Sequence, residues 1–322
     1  MNANASSPAG ANKPAQPLPE APFFAVLKQW LSPALCVLLC VFVLLEVNYP
    51  RMGPQGELAI FAMIGLALCF LNFPLHAKCQ GYSAARIADC VFLLLTAVSC
   101  GYVVVQTEPT FQAFWLEGKS LGDRAGLVVA TDYWMGLIGL IVVIEGTRRS
   151  IGWALPILSM IFILYAYFGP QLPDFLFPHA GMKPYDIVAA TFLKDLGIFG
   201  IALNVMFKYV FLFVIFGSFL EVTGGTQFII DFSRRVFGGS PGGPAKVAVL
   251  GSGLMGSLSG SAVANAVTTG AFTIPMMRSA GFPRHIAGGI TAAAASGGAL
   301  VPPIMGAGAY MMLEIIEPKV AF

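Results

Sequence analysis

Charge is the property that this sequence has least of. Of its 322 residues, 11% are Asp, Glu, Lys or Arg and 57% are hydrophobic, whereas an ordinary soluble domain carries roughly 25% charged residues. So few charges cannot cover a water-exposed surface, which excludes an ordinary soluble enzyme. The net charge of only +2 predicts no nucleic-acid partner. The composition instead predicts an all-α, polytopic protein that contacts the lipid bilayer.

In place of charged residues, the sequence contains long apolar runs. A helix needs about 20 apolar residues to cross a hydrocarbon core roughly 30 Å thick. The candidate spans lie at residues 31–47, 57–75, 87–105, 127–147, 151–168 and 197–221. Residues 1–22 are rich in Ala, Pro and Asn and have no apolar run, which predicts a disordered tail rather than a cleaved signal peptide.

The loops between these spans differ in their positive charge. Lys and Arg collect in alternate loops, and cytoplasmic loops of membrane proteins are the positively charged ones. The pattern therefore predicts a cytoplasmic N-terminus and tail. The loops placed inside hold Lys78 and Arg86, then Arg148 and Arg149, then Arg234 and Arg235.

Acidic residues are absent between Asp231 and Glu314. This absence matters because Gly251-x-Gly253-x-x-Gly256 follows an apolar run and matches the dinucleotide-binding fingerprint. That fold needs an acidic residue about 20 positions further on to bind the ribose. The glycines are better explained as positions where membrane helices approach closely.

The segment 247–277 is apolar, rich in small residues, and flanked by positive charge at both ends. Lys246 precedes it, and Arg278 and Arg284 follow it. A single crossing would place the second cluster outside, against the positive-inside rule. We therefore predict a re-entrant helical hairpin with arms of about a dozen residues and a turn near residues 257–261.

Residues 286–316 show a second interruption. IAGGITAAAAS is typical of half a helix, SGGALVPP breaks it, and IMGAGAYMMLEII resumes it. This pattern predicts one discontinuous helix. Unwound backbone at membrane depth is tolerated only where it is buried in protein or lines a polar cavity. Two such breaks close together indicate a binding site.

These two segments carry a family resemblance. The stretch from FGSFLEVTGG through GSLSGSAVANAVTTGAFTIPMM, followed by ASGGALVPPIMGAGAYMM, resembles the large membrane subunit of tripartite ATP-independent periplasmic (TRAP) transporters. It is most similar to the fused form that works with TAXI-type periplasmic binding proteins. The resemblance implies a bacterial inner-membrane permease, not an enzyme. Such a permease takes up an organic anion (a carboxylate) with sodium by an elevator mechanism.

The resemblance also implies a domain organisation. Residues 23–150 resemble the small subunit, and residues 151–322 resemble the first part of the large subunit. Members of this family have two inverted repeats, and only the first is found here. We therefore expect a truncated or split copy. A membrane scaffold or assembly subunit without transport activity stays as the alternative function.

The resemblance places an ion and substrate site at the two breaks. Sodium binds oxygen ligands, which unwound carbonyls and Ser, Thr or Asn side chains supply without an acid. A substrate carboxylate is favoured at the N-termini of half-helices. No other cofactor is implied. The matching positions are Ser259, Gly260, Ser261 and Asn265 at the hairpin turn, and Gly297, Gly298, Val301 and Pro302 at the helix break.

Individual residues also have other interpretations. Ser259, Ser261 and Asn265 are also residue types that cap short helices. Lys208, within the sixth apolar span, either forms a pair or extends toward a membrane interface, or else has a function of its own. An intramembrane serine protease is disfavoured because the histidine nearest to these serines in the sequence, His285, lies at the cytoplasmic flank.

Overall fold

The computed structural model describes residues 22–75, 83–124, 129–173, 177–302 and 305–316. Within these ranges the chain is 79% helical and contains no strand, so the predicted all-α architecture is confirmed. The tail predicted for residues 1–22 falls outside them except for Pro22, the first residue of α1. The helices are α1 (Pro22–Asn48), α2 (Pro54–Asn72), α3 (Ser83–Thr107), α4 (Ala130–Ile151), α5 (Ala154–Tyr167), α6 (Pro184–Val188), α7 (Ile201–Val205), α8 (Phe211–Val222), α9 (Gly225–Phe237), α10 (Gly243–Ser259), α11 (Ala262–Ser279), α12 (Arg284–Gly298) and α13 (Ala307–Ile315).

Four helices in the described residues are long and apolar enough to cross a membrane, which confirms the polytopic prediction. They are Lys28–Asn48, Pro54–Asn72, Ile87–Thr107 and Ile201–Val222. The last of these is α7 and α8 joined by a π-helical segment at Met206–Val210. The predicted span at 127–147 corresponds to α4, which carries charged residues. The predicted span at 151–168 corresponds to α5, which has 14 residues. At 1.5 Å per residue, α5 is about 21 Å long and therefore shorter than the hydrocarbon core.

The N-terminal helices pack around one apolar core. Side chains of α1, α2 and α3 meet side chains from residues 189–211 there, among them Val43, Val103 and Phe207. Helix α4 joins this group because Gly139 leaves room for the Phe192 ring; a Cβ atom at Gly139 would overlap that ring. We call this set, residues 28–72, 87–107, 130–151 and 184–222, the N-terminal helix group.

A buried arginine holds the loop between α3 and α4. The Arg124 guanidinium forms an ion pair with Asp132 at 3.0 Å and donates to Gln106 Oε1 at 2.9 Å. It also donates to the carbonyl oxygens of Leu116 at 3.1 Å and Lys119 at 2.7 Å. Every charge of this buried pair is therefore compensated, as a buried ion pair requires.

Two carboxylates hold the turn between α1 and α2. Glu46 Oε1 accepts from the backbone N–H groups of Arg51 and Met52, at 2.6 Å each. Glu108 Oε1 accepts from the N–H of Gly53 at 2.8 Å. Burial raises the pKa of Glu108 above its ordinary value, although the hydrogen bond from Gly53 acts in the opposite direction. These contacts fix where α2 begins.

The π-helical segment places Lys208 opposite an acid of α2. The Lys208 ammonium lies 3.9 Å from a carboxylate oxygen of Glu57, which is buried. The structure therefore favours the first of the two alternatives for this lysine, pairing. The pair joins α2 to the helix Ile201–Val222 within the N-terminal helix group.

The second set of helices is the predicted hairpin and its neighbours. Helices α10 and α11 are joined at Gly260, whose φ of +61° is in the left-handed region that favours glycine. The arms have 17 and 18 residues, so the predicted dozen is wrong: the helices extend beyond the apolar run to Gly243 and Ser279. We call α9 to α12 the hairpin group.

The fingerprint glycines have a packing role in this hairpin. Residues 247–256 lie inside α10, and the described residues form no strand before them, so the arrangement needed to bind a dinucleotide is absent. A Cβ atom at Gly256 would overlap the backbone of Gly298 in α12. Gly256 therefore allows α10 and α12 to approach closely, as the sequence predicted. A Cβ atom at Gly251 would have only Ser233 Oγ nearby, at 3.6 Å, and one at Gly253 would meet no atom within 4 Å.

The predicted discontinuous helix is present. Helix α12 ends at Gly298 and α13 begins at Ala307. Backbone hydrogen bonds shape the described part of the break. Among them, Val301 N–H donates to the Gly298 carbonyl at 3.1 Å, and Gly306 N–H donates to the Ala299 carbonyl at 2.8 Å. Residues 303 and 304 lie outside the described residues.

Candidate functional site

A cavity of about 210 Å³ lies beside the tip of the hairpin. Its walls come from α8 and the start of α9 on one side, and from the ends of α10 and α11 that meet at the tip on the other. The lining residues are Phe213, Val214, Gly217, Ser218, Leu220, Glu221, Thr226, Met255, Leu258, Ser259, Ser261, Ala264, Asn265 and Thr268. We call it the tip cavity.

Asn265 is the most informative residue of this cavity. Its side chain is 1% exposed, and its Nδ2 donates to the Ser252 carbonyl at 2.8 Å and to the Ala295 carbonyl at 3.5 Å. Two carbonyl acceptors fix the orientation of the amide, since the flipped amide would face oxygen with oxygen. The Oδ1 atom is buried and has no hydrogen-bond partner within the described residues.

A buried hydrogen-bond acceptor without a partner destabilises the folded protein. The cost is about 1–3 kcal/mol relative to an acceptor that has a partner, and buried polar groups in native structures generally have partners. Asn265, in α11, therefore supplies one oxygen that a donor or a cation can satisfy. This oxygen belongs to a residue at which the sequence predicted an ion ligand.

Two further oxygens near Asn265 were missed by the sequence analysis. Ser252 Oγ and Thr226 Oγ1 are both buried and have no hydrogen-bond partner within the described residues. Thr226 lines the tip cavity, and Ser252 is the residue whose carbonyl accepts from Asn265. Ser252 and Asn265 are 13 positions apart, so only the closed hairpin brings them together.

The two serines of the tip line the cavity, and one of them caps a helix. Ser261 Oγ accepts from the Ala264 N–H at 3.3 Å and is the N-cap of α11, whereas Ser259 Oγ accepts from the Ser261 N–H in the turn at 3.4 Å. The capping role left open by the sequence is therefore present for Ser261 but not for Asn265, which lies inside α11. A hydroxyl oxygen has a second lone pair, so these hydrogen bonds leave each serine able to contact a ligand.

The residues predicted at the helix break divide into two sets. Gly298 is buried against the site: a Cβ atom there would overlap the Ser252 carbonyl oxygen and lie 2.7 Å from Asn265 Nδ2. Gly297, Val301 and Pro302 are exposed and do not line the tip cavity. The structure thus brings together Ser259, Ser261, Asn265 and Gly298. Sodium binding at any of the eight positions stays a prediction.

Two helix N-termini meet at the hairpin tip. Helix α11 begins after Ser261, and α13 begins after Gly306. A Cβ atom at Gly306 would lie 3.3 Å from the Gly260 carbonyl oxygen, so the break and the tip are in contact. The free N–H groups of both helices carry partial positive charge, which favours an anionic group at this place.

The donor set around the tip cavity is made mainly of neutral oxygens. Glu221 is its only charged lining residue, and that side chain is exposed. In the described part of the chain no group of three or more His, Cys, Asp or Glu residues could hold a metal ion. Neutral oxygens suit a monovalent hard cation better than a transition metal.

A comparison of the chain with known protein families finds a match. Residues 138–321 match the family described as "Tripartite ATP-independent periplasmic transporter, DctM component". This match covers more than half of the chain. The chain belongs to the DctM family of TRAP transporter permeases. The family consists of membrane transport proteins, not enzymes, and the prediction of a TRAP large permease is confirmed.

Several curated relatives carry TRAP names. The chain is 41% identical over 92 residues to the 2,3-diketo-L-gulonate TRAP transporter large permease protein YiaN of Escherichia coli, covering 29% of this chain and 21% of that protein. It is 25% identical over 284 residues to the sialic acid TRAP transporter permease protein SiaT of Haemophilus influenzae, covering 84% and 41% respectively. The C4-dicarboxylate TRAP transporter large permease protein DctM of Pseudomonas aeruginosa is 35% identical over 91 residues, covering 28% and 21%. The chain therefore spans less than half the length of these relatives, and no solved structure matches it.

Proposed function

We propose that the chain is the membrane permease, or a part of it, of a sodium-coupled secondary transporter that takes up organic anions. Membership of the DctM family supports the transport class. The names of the three relatives described above refer to diketo-gulonate, sialic acid and C4-dicarboxylate, which are all carboxylates. A carboxylate is accordingly the substrate class proposed for this chain.

One observation carries the sodium part of the proposal. The Oδ1 atom of Asn265 is buried, is fixed in orientation by two carbonyl acceptors, and has no partner of its own. A sodium ion satisfies such an oxygen without a counter-charge. Tip hydroxyls of Ser259 and Ser261 can complete the oxygen shell from the same cavity.

The substrate is proposed to bind next to the ion. The N-termini of α11 and α13 meet at the hairpin tip, and their free N–H groups favour a carboxylate. A cation on Asn265 and an anion at these N-termini stabilise each other, so each raises the affinity of the other. We propose that the hairpin group then moves as a unit against the N-terminal helix group, which is an elevator mechanism.

Partners and location follow from the same proposal. The substrate is delivered by a periplasmic binding protein of the TAXI type, and the permease lies in the bacterial inner membrane with its N-terminus in the cytoplasm. The alignment with SiaT covers 84% of the chain, more than residues 138–321 alone provide. This coverage supports the proposal that residues 23–150 are a fused small-subunit segment.

Sodium binding provides the direct test. Purified protein in lipid nanodiscs is titrated with radioactive ²²Na⁺, and the same titration is done with Asn265→Leu. Leucine has a similar size but no oxygen, so we expect at least a tenfold rise in the dissociation constant, equivalent to about 1.4 kcal/mol. Asn48→Leu, at the exposed end of α1, is the matched control and should bind like the native protein.

Two results would contradict the proposal. Equal sodium affinity in Asn265→Leu and in the native protein would show that Asn265 has only a structural role. Absence of saturable sodium binding in the native protein would favour the alternative, a membrane scaffold or assembly subunit. A thermal unfolding curve for each variant separates a lost site from a lost fold.

A further inference from the structure

A second cavity, of about 540 Å³, lies at the contact between the N-terminal segment and the family-matched region. One wall precedes residue 138 and comes from the start of α2 and the loop before α4. The other wall belongs to the matched region and comes from the segment between α6 and α7 and from α7 itself. The lining includes Leu58, Leu121, Gly122, Lys194, Phe199 and Asn204. We call it the seam cavity.

The floor of the seam cavity is apolar. Leu58, Leu121, Leu193 and Phe199 contribute to its lining and are all buried. A ligand that fills this floor removes apolar surface from water, which stabilises the complex by roughly 25 cal/mol per Å². A ligand of this cavity therefore needs an apolar body.

The rim of the cavity provides polar groups that are not used elsewhere. Lys194 is partly buried and forms no ion pair within the described residues. Asn204 Oδ1 is buried without a hydrogen-bond partner in the same part of the chain. The Nδ2 group of the same amide forms no hydrogen bond within the described residues, so it can donate to an oxygen of a ligand. Gln55, in contrast, is held by its hydrogen bond to the Leu193 carbonyl at 2.5 Å.

Of the two helix N-termini at this rim, that of α2 already faces carboxylates, because Glu108 accepts from the Gly53 N–H and Glu57 lies in its first turn. The 22-residue helix Ile201–Val222 begins after Gly200 without a side-chain cap, and its free N–H groups favour a negative charge. Asp195 opposes this effect, but its side chain is exposed, so water screens it more than it screens the partly buried Lys194.

We propose that the seam cavity binds an organic monocarboxylate with an apolar body, with the carboxylate at Lys194 and Asn204 and the body on the leucine and phenylalanine floor. This is a second anion site, separate from the hairpin tip, and it uses residues from both segments of the chain. Its chemistry does not depend on sodium at Asn265. The seam site and the proposed transport function can therefore be tested independently of each other.

Three probes test the chemistry in nanodiscs by ¹⁹F NMR or competition against a fluorinated reporter. Hexanoate has both a carboxylate and an apolar body, hexanamide has only the body, and inorganic phosphate has only the charge. We expect saturable hexanoate binding in sodium-free buffer, with at least tenfold weaker binding of hexanamide and phosphate. Equal binding of hexanamide would overturn the carboxylate role, and equal binding of phosphate would overturn the role of the floor.

Four variants test the location. Lys194→Gln should weaken hexanoate binding about tenfold, while Lys183→Gln, an exposed lysine outside the cavity, is the control that should leave it unchanged. Gly122→Phe should block the cavity, because a Cβ atom there has only Ser120 Oγ, at 3.9 Å, nearby. Asn265→Leu, at the hairpin tip, separates the two proposed sites: the hexanoate binding that Lys194→Gln weakens should persist in this variant. If hexanoate binding survives Lys194→Gln and Gly122→Phe but is lost in Asn265→Leu, the carboxylate binds at the hairpin tip and the seam site is wrong.

Discussion

At the scale of single residues, two adjacent glycines of α12 differ in their surroundings. A Cβ atom at Gly298 would overlap the Ser252 carbonyl oxygen, whereas at Gly297 it would meet no atom within 4 Å. We predict that Gly298→Ala separates α12 from α10 and lowers the free energy of unfolding by about 1–3 kcal/mol. Thermal and SDS-induced unfolding of the purified protein measure this change.

Gly297→Ala is the matched control for that substitution. It adds the same methyl group one position earlier in the same helix, so we expect unchanged or slightly raised stability. The same two variants also test the proposed sodium site at Asn265. Sodium binding should be weakened in Gly298→Ala and retained in Gly297→Ala. Equal stability of the two variants would mean that the close contact between α10 and α12 does not exist.

Arg124 is the second residue with a large predicted effect. Its side chain is 1% exposed and compensates Asp132, which is 2% exposed. Arg124→Met leaves this carboxylate buried without its cation, so we expect a loss of about 3–5 kcal/mol in the free energy of unfolding. Lys119→Gln, in the same loop but exposed, should change the stability by less than about 1 kcal/mol. A stability loss of similar size in both variants would contradict the buried pair.

The site residues show what a sequence can and cannot predict at this scale. Asn265, Ser259 and Ser261 were predicted because they match the positions that the family resemblance places at the hairpin turn. Ser252 and Thr226 were missed because Ser and Thr are ordinary within helices and only burial without a partner distinguishes them. Glycines were predicted as packing positions, but which glycine faces which helix depends on the closed hairpin.

At the scale of secondary-structure elements, the hairpin gives a topology prediction. If α10 and α11 enter and leave the membrane on one side, single cysteines at Lys246 and Arg278 should both react with a membrane-impermeant maleimide from the cytoplasm. Both native residues are exposed. The experiment needs a background in which the six native cysteines are replaced. Labelling of the two positions from opposite sides would mean that the segment crosses the membrane.

Two exposed lysines provide the orientation control. Cysteines at Lys119 and Lys183, in loops predicted to lie outside, should be labelled from the periplasm under the same conditions. If both are labelled from the cytoplasm, the positive-inside assignment is inverted for the whole chain. The hairpin itself is then tested by whether Lys246 and Arg278 still share one side.

The elements differ in how well the sequence predicted them. Long apolar runs predicted the four membrane-crossing helices because hydropathy depends on composition alone. Helix α4 is less apolar because it carries charged residues. Asp132 pairs with Arg124, and Glu145 pairs with both Arg148 and Arg149. The hairpin arms are longer than predicted because their helices continue beyond the two ends of the apolar run. The π-helical segment at Met206–Val210 has no local sequence signal.

At the scale of the whole molecule, the chain divides into two packed sets of helices. The N-terminal helix group has its own core around Val43, Val103 and Phe207. The hairpin group has a smaller core of Ala248, Met277 and Ala287. The contact between α8 and the hairpin tip is looser, since a Cβ atom at Gly217 would have only the Leu258 carbonyl oxygen, at 3.6 Å, nearby. An elevator mechanism requires such a contact to slide.

A cross-link across this contact tests the movement. We predict that a Gly217→Cys, Leu258→Cys pair, bridged by Hg²⁺, stops substrate uptake by the complete transporter because it joins the two helix groups, and that thiol treatment restores uptake. The control pair is Gly270→Cys with Thr291→Cys, which lies within the hairpin group, where a Cβ atom at Gly270 would be 3.1 Å from the Thr291 methyl group. Bridging this control should leave most of the uptake intact, since both residues move together. Full uptake with the first pair bridged would exclude relative movement at this contact, and equal inhibition by both pairs would indicate that rigidity within the hairpin group, rather than its displacement, limits transport.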